Sequence, residues 1–482
     1  MDAAWQEIID FLQHGKTGMA REKLDALRGH VPQAEEWRLH ELYGAVFHDL
    51  ADPERAAAAY SNAAKCDKYL RSQREHFSNY LFALHYLPGL GAENLWQQHK
   101  FYQELYREEE PLPKRQAAPH SRLRIGFIAN DFCDSAAARF YEALVMGLDV
   151  RYASTYLYAL ADEEDTFTHR LQGSGLVYRC LFRQNLVEMA ETIRWDEIDI
   201  LVDLSGHTAG GLTLMVLAKK PAPVQLTAVG YFDTTGLTAV DGLLTDNILD
   251  PSAADRAYFS EELIKLPQAF CFTPSIAMEK FRRQPRDAGR SLTFGSLQNF
   301  MKLNTEVLAC WREIMELMPG ARLLVQDTTR LPERRQAVEK RLEKAGLPME
   351  RTEVRPGTDN YLACYQEIDI MLDTFPYNGG AMTATALYMG VPVVTLRGSH
   401  HSARFGASLL TAAGYEEWIA AGPHDYVKIA LQMAADRSFL TAAQENLREE
   451  IKASPLCDKS KYAQAFWRAC IDIWARKGDF VL

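Results

Sequence analysis

Two stretches of this sequence hold residues suited to gripping an anion. In LDTFPYNGGAMTATALYMGVPVVTLRG, Leu372 to Gly398, an apolar strand-like run meets a Pro-Tyr-Asn-Gly-Gly turn, a small-residue helix and a second apolar run. Glycines that open a helix let its first backbone N–H groups approach a phosphate, so Asn378, Gly379 and Gly380 are candidates for holding one. The other stretch is GSLQNFMK, where Lys302 follows a strand-like run by a few residues and supplies a cation. A departing phosphate group needs its growing charge stabilised, and a cation acting with helix N-terminal amides does that. A third group also follows strand-like runs: His207 in Ser-Gly-His-Thr, and Asp233 with Thr234 in GYFDTTG. His207 can orient a substrate or take a proton near neutral pH. Structural packing for His207, and turn formation for Asp233 and Thr234, are the alternative roles.

These loops need strands to present them. LRIGFIAN (123–130), STYLYAL (154–160), IDILVDLSG (198–206), VQLTAVGY (224–231) and GLLTDNI (242–248) form one series of apolar runs. SLTFGSLQ (291–298), ARLLVQD (321–327), DIMLDTF (369–375) and VPVVTLRG (391–398) form a second. Helical stretches separate most of them, which predicts an α/β fold with mainly parallel sheets. Two series in tandem predict two Rossmann-like domains facing each other across a cleft, at residues 122–288 and 289–458. In open parallel sheets ligands bind beyond the carboxyl ends of the strands, where all the candidates fall.

Residues 1–112 read as all-helical, with apolar residues at three-four spacing. Within ELYGAVFHDLADPERAAAAYSNAAKCDK, Gly44, Phe47, Ala56, Tyr60 and Ala63 match a tetratricopeptide repeat, and Asp52-Pro53 starts its second helix. A plain helical hairpin is the alternative. A proline-broken linker is expected at 113–121, and a last helical segment, 459–482, is expected to pack back on the catalytic half.

The net charge of −11 argues against a general nucleic-acid binder. None of the eight cysteines forms a C-x-x-C, so neither a zinc framework nor a disulfide scaffold is expected, and a reducing, cytoplasmic setting fits. No apolar run approaches a membrane span. Adjacent His400 and His401 lack a third ligand at recognisable spacing and read as loop residues, with no metal.

Six ordered blocks together resemble glycosyltransferase family 41, the O-linked N-acetylglucosamine transferases and SPINDLY-like proteins, in its bacterial form. They are LRIGFIANDF, DILVDLSGHTAGG, KKPAPVQLTAVGYFDTTG with VDGLLTD, GSLQNFMKLNTEVLACWREIM, IDIMLDTFPYNGG and MGVPVVTLRGSHHSARFGASLL. The resemblance covers nearly the whole chain. It implies a GT-B architecture and a metal-independent, inverting transfer from a UDP-sugar co-substrate (UDP-GlcNAc or UDP-hexose), with no other cofactor. The acceptor it implies is a protein side chain, Ser or Thr, with Asn in a related branch, presented partly by the helical region. It also implies that Lys302 contacts the donor diphosphate and that Gln298 and Asn299 contact the nucleotide.

Several positions depart from the family pattern. Where hydroxyl-rich residues or His-Thr-Thr usually follow the Asn-Gly, this chain has Gly380, Ala381 and Met382 before Thr383. An acidic residue that often holds the ribose is matched by Thr385, and a histidine opening the preceding helix by Tyr361. After Asp131-Phe132, a histidine near the reacting centre is matched by Ser135, which cannot act as a base near neutral pH. Two readings follow: a transferase, or a non-catalytic member that keeps the fold as a protein- or nucleotide-binding module.

Overall fold

Parallel strands buried on both faces read as apolar runs, and the two series of runs become two separate parallel sheets. A computed structural model describes residues 2–113, 121–287 and 289–477. Most of the expected linker, 114–120, and the final residues, 478–482, lie outside the described residues. The chain divides into two units, Gly91–Ser275 with Ala453–Leu482, and Met1–Leu90 with Ile276–Lys452.

The first of these units holds a seven-stranded sheet. Its strands are β1 (Leu123–Ala129), β2 (Ala153–Ala159), β3 (Val177–Cys180), β4 (Ile200–Asp203), β5 (Val224–Thr227), β6 (Gly242–Thr245) and β7 (Glu262–Lys265). They lie in the order β3-β2-β1-β4-β5-β6-β7. This is doubly wound topology, with the winding reversing between β1 and β4. Register places Asp203 beside Thr227 at the carboxyl ends of β4 and β5. The helix Lys459–Lys477 lays Phe466, Cys470 and Ile473 on the core formed by Ile125, Phe127, Val202 and Leu226. Its Tyr462 hydroxyl donates to Ala269 O at 2.7 Å.

The second unit repeats the winding with six strands: β8 (Thr293–Leu297), β9 (Arg322–Gln326), β10 (Thr352–Arg355), β11 (Ile370–Leu372), β12 (Val393–Leu396) and β13 (Ile419–Ala420). The order is β10-β9-β8-β11-β12-β13, so its reversal falls between β8 and β11. The N-terminal helices belong to this unit. Asp2–Gln13, Thr17–Leu27 and Glu36–Asp49 share a core of Trp5, Ile8, Ala20, Leu24, Leu42 and Val46. The next helix, Pro53–Cys66, starts as expected: Pro53 occupies its first turn, and Asp52 Oδ1 accepts from Arg55 N at 3.1 Å. It crosses its predecessor closely, since a Cβ on Gly44 would fall 2.4 Å from the Tyr60 ring.

The nine apolar runs all become strands, whereas β3, β7, β10 and β13 had no such signal. Those four are the edges of the two sheets. β3, β7 and β10 are partly exposed and carry polar residues, and β13 is only two residues long. Among the described residues no helix is long and apolar enough to cross a membrane.

Candidate functional site

The reversal between β8 and β11 gathers most of the anticipated residues. Gln298 and Asn299 leave the end of β8, and a single helical turn, Phe300–Lys302, points Lys302 back toward the loop after β11. The buried Lys302 ammonium donates to Asn378 O at 2.8 Å and lies 3.7 Å from the centre of the Tyr377 ring. Burial lowers its pKa to about 8, and the neighbouring Asp373 opposes that shift. It is therefore a cation at neutral pH, and one already desolvated. The Tyr377 ring is itself backed by Tyr86, 5.5 Å away, just past the helix Leu70–Leu84.

Asp373, which the loop motifs did not single out, organises the turn. Its fully buried carboxylate accepts from Thr374 N at 2.9 Å, Gly379 N at 2.7 Å and the Thr395 hydroxyl at 2.7 Å. Burial raises its pKa to about 6, against the pull of those donors and of Lys302. Asn378 is locked as well, its amide donating to Thr374 O at 2.9 Å while its oxygen accepts from Gly406 N at 3.3 Å. Gly379 is the one position with no room for a side chain. A Cβ there would lie 2.1 Å from Gln298 Nε2, 2.4 Å from Thr383 Oγ1 and 2.8 Å from Asp373 Oδ1. Three polar groups thus converge on a space that only glycine keeps open.

The helix Ala381–Tyr388 starts at that space with Gly380 as its N-cap and no side-chain cap. Its first N–H groups have no acceptor within the helix, which makes this end attractive to an anion. Thr383 Oγ1 is buried with no hydrogen-bond partner among the described residues. Ala381 is buried and apolar, Met382 is partly buried, and Thr385 is buried one turn further along. Tyr361 opens the short turn Tyr361–Gln366, which reaches the same helix through the Tyr365 hydroxyl, 3.4 Å from Met382 O.

The loops after β4 and β5 bring His207 and Asp233 into one region of the other unit. His207 is fully buried rather than displayed at a loop surface. Its Nε2 donates to Thr235 O at 2.9 Å, and the ring packs against Tyr102 at 4.6 Å, Tyr231 at 4.9 Å and His99 at 5.6 Å. His99 donates from Nδ1 to Leu95 O at 2.8 Å and accepts at Nε2 from the Tyr231 hydroxyl at 2.7 Å. Burial and the adjacent His99 push the His207 pKa well below the usual imidazole range, so it is neutral. Asp233 caps its own turn, accepting from Thr234 N at 2.8 Å. A buried carboxylate, Glu261, clamps the rest of that loop through the Thr234 hydroxyl at 2.6 Å and Thr235 N at 2.7 Å. Ser135 is exposed, and its hydroxyl accepts from Ala138 N at 3.2 Å at the start of the helix Ala138–Met146. Glu261, His99 and Tyr231 carried no motif, since their partners lie 26 to 132 positions away.

The family model of glycosyl transferase family 41 matches residues 101–283 and 274–466. A Petunia hybrida protein named "Probable UDP-N-acetylglucosamine–peptide N-acetylglucosaminyltransferase SPINDLY" is 32% identical over 419 residues, covering 83% of this chain and 44% of that protein. Its Arabidopsis thaliana counterpart of the same name is 34% identical over 372 residues, covering 75% of this chain and 40% of that one. The chain therefore spans less than half the length of these curated relatives. Among solved structures, a point variant of the Thermobaculum terrenum O-GlcNAc transferase superposes with a TM-score of 0.87 at 28% identity. That match covers 98% of this chain and 90% of the other. Two doubly wound parallel sheets and this likeness together make the architecture GT-B.

Proposed function

The chain belongs to glycosyl transferase family 41, and we propose that it moves a sugar from a UDP-sugar, UDP-GlcNAc or a UDP-hexose, onto a protein side chain. The observation that carries this reading is the meeting of Lys302, Gly379 and the uncapped start of the helix Ala381–Tyr388 at the β8/β11 reversal. A diphosphate placed there would exchange the Asn378 carbonyl for a stronger partner at Lys302. It would also take hydrogen bonds from the helix amides and the Thr383 hydroxyl. Gln298, Asn299, Tyr361 and Thr385 surround the position a nucleoside would take. Ala381 and Met382 contribute through their backbone, so their apolar side chains leave the phosphate contacts intact.

In the transfer, an acceptor oxygen, or an amide nitrogen in the Asn branch, attacks the anomeric carbon from the face opposite the phosphate. The bond from that carbon to the phosphate oxygen breaks, and UDP departs with the electron pair. Lys302 and the helix terminus stabilise that charge as it forms. The acceptor's proton leaves to solvent or a nearby base. His207 serves as a positioning group, holding the Asp233–Thr235 loop through Thr235 O.

Acceptor presentation falls to the helical hairpins. Their groove of about 370 Å³ is lined by Arg21, Tyr43, Phe47, Arg55, Ala59 and Asn62, with the Arg55 guanidinium 4.6 Å from the Phe47 ring. Aromatic faces beside mobile cations suit an extended, acidic peptide segment.

A second reading, a non-catalytic nucleotide-binding member, is favoured by one observation: the imidazole anticipated as a base is fully buried and neutral, and Ser135 stands where the other histidine would be. Incubating the protein with radiolabelled UDP-GlcNAc and a proteome-derived peptide library separates the two. The transferase reading expects label on peptide and release of UDP. UDP binding without transfer or hydrolysis, for any UDP-sugar, supports the second reading instead.

A further inference from the structure

The helix Pro332–Lys344 carries two arginines, Arg334 and Arg341, two turns apart and so on one face. Arg334 is fully buried. Its Nη1 donates to His48 O at 2.8 Å, its Nη2 donates to Asn299 Oδ1, and its Nε lies 2.6 Å from Asp327 Oδ2. Arg341 repeats the arrangement, with Nη1 donating to Leu303 O at 2.9 Å and Nη2 donating to Ala51 O. Each guanidinium thus sets one arm on a carbonyl at or just past the end of the helix Glu36–Asp49. The other arm rests on one flank of the Phe300–Lys302 turn. That flank is itself structural: Asn299 Oδ1 also accepts from Met301 N at 2.9 Å, and Asp327 Oδ1 accepts from Phe300 N at 3.1 Å.

A planar fork with donors facing several directions can bridge two acceptors at once, whereas the donors of a lysine radiate from a single atom. Carbonyls at a helix C-terminus carry the negative end of its dipole and favour a cation. The neighbouring Glu333 adds a third tie, accepting from Gly18 N at 2.5 Å.

We propose that Arg334 and Arg341 are positioning residues that brace the Lys302 turn against the N-terminal helices, so that the helical region helps to build the donor site as well as presenting an acceptor. The ligand of Lys302 rests on the function proposed above; the brace does not.

Hydrogen–deuterium exchange across residues 299–304 and UDP titration calorimetry test it on the full chain, with Arg334→Met, Arg341→Met and Arg341→Lys. In each variant exchange at 299–304 should quicken about tenfold or more, and the UDP dissociation constant should rise by a similar factor. Exchange in β1, in the other unit, should be unchanged. Arg341→Lys keeps the charge without the fork and should resemble Arg341→Met. Native exchange at 299–304 in a folded variant would overturn the brace, and faster exchange with unaltered UDP affinity would overturn its part in the donor site. Should Arg334→Met fail to fold, the two Arg341 variants decide, because that side chain is only partly buried. Should the unaltered chain not bind UDP, the transferase reading fails, while the exchange data still judge the brace.

Discussion

The two sheets finish their pivotal strands with the same device and then use the space beyond it in opposite ways. At the end of β4, the buried Asp203 accepts from Ser205 N at 3.1 Å, Gly206 N at 2.9 Å and the Thr227 hydroxyl at 2.9 Å. Just past β11, Asp373 accepts from Thr374 N, Gly379 N and the Thr395 hydroxyl. In each case a carboxylate whose pKa is raised by burial fixes the loop's first amides and ties them to a threonine on the next strand. Past that point the loops diverge. After β4 the space is filled by His207, packed among Tyr102, Tyr231 and His99. After β11 it stays open at Gly379 and faces a cation, an uncapped helix and an unpaired hydroxyl. The carboxylate is therefore scaffold, and the anion site is defined by what is left beyond it.

The contrast can be pressed experimentally. The largest effect is expected from Lys302→Met, which should lower UDP-sugar turnover on the order of 100-fold or more in a steady-state assay. His207→Gln, on the filled side, should change turnover far less. Next come the glycines. Gly379→Ala and Gly206→Ala should each cost about 1–3 kcal/mol in urea denaturation, because both Cβ atoms would meet neighbours too closely. Only Gly379→Ala should weaken UDP binding. The aspartates make a subtler pair: Asp203→Asn and Asp373→Asn each lose charge-assisted bonds worth about 1–3 kcal/mol. Calorimetry should find the UDP defect confined to Asp373→Asn.

The smallest effect is a pH dependence. With a folded pKa of about 8, Lys302 is cationic below that value and neutral above it, so UDP affinity should fall as pH rises from 7 to 9. His207 is neutral throughout, and no step near pH 6.5 should come from it.

Much of the frame was readable from the residues alone. Interior strands of parallel sheets have to be apolar, and every apolar run became one. The edge strands had no such obligation, so VYRC in β3 and TEVR in β10 gave nothing to read. Asn378, Gly379 and Lys302 were legible because turn chemistry and an isolated cation are local signals. Asp373, Thr395, Arg334 and Glu261 were not, since each gains its meaning from a partner brought close by a crossover. One signal was available: VDLSG and LDTFP both place aspartate after an apolar run, and VQLT and VVTL both place threonine in the next. His207 was misjudged in its surroundings for the same reason. Its position after a strand was clear, but the aromatic residues that enclose it come from distant segments.

The central claim is that the β8/β11 reversal holds a nucleotide diphosphate through Lys302, and thermal unfolding in the presence of UDP tests it most directly. A ligand bound only by the native state at about 100 times its dissociation constant adds about 2.7 kcal/mol. The melting temperature of the unaltered chain should therefore climb with UDP concentration, and that of Lys302→Met should stay flat. An unmoved melting temperature at millimolar UDP, or an equal rise in both proteins, would contradict it.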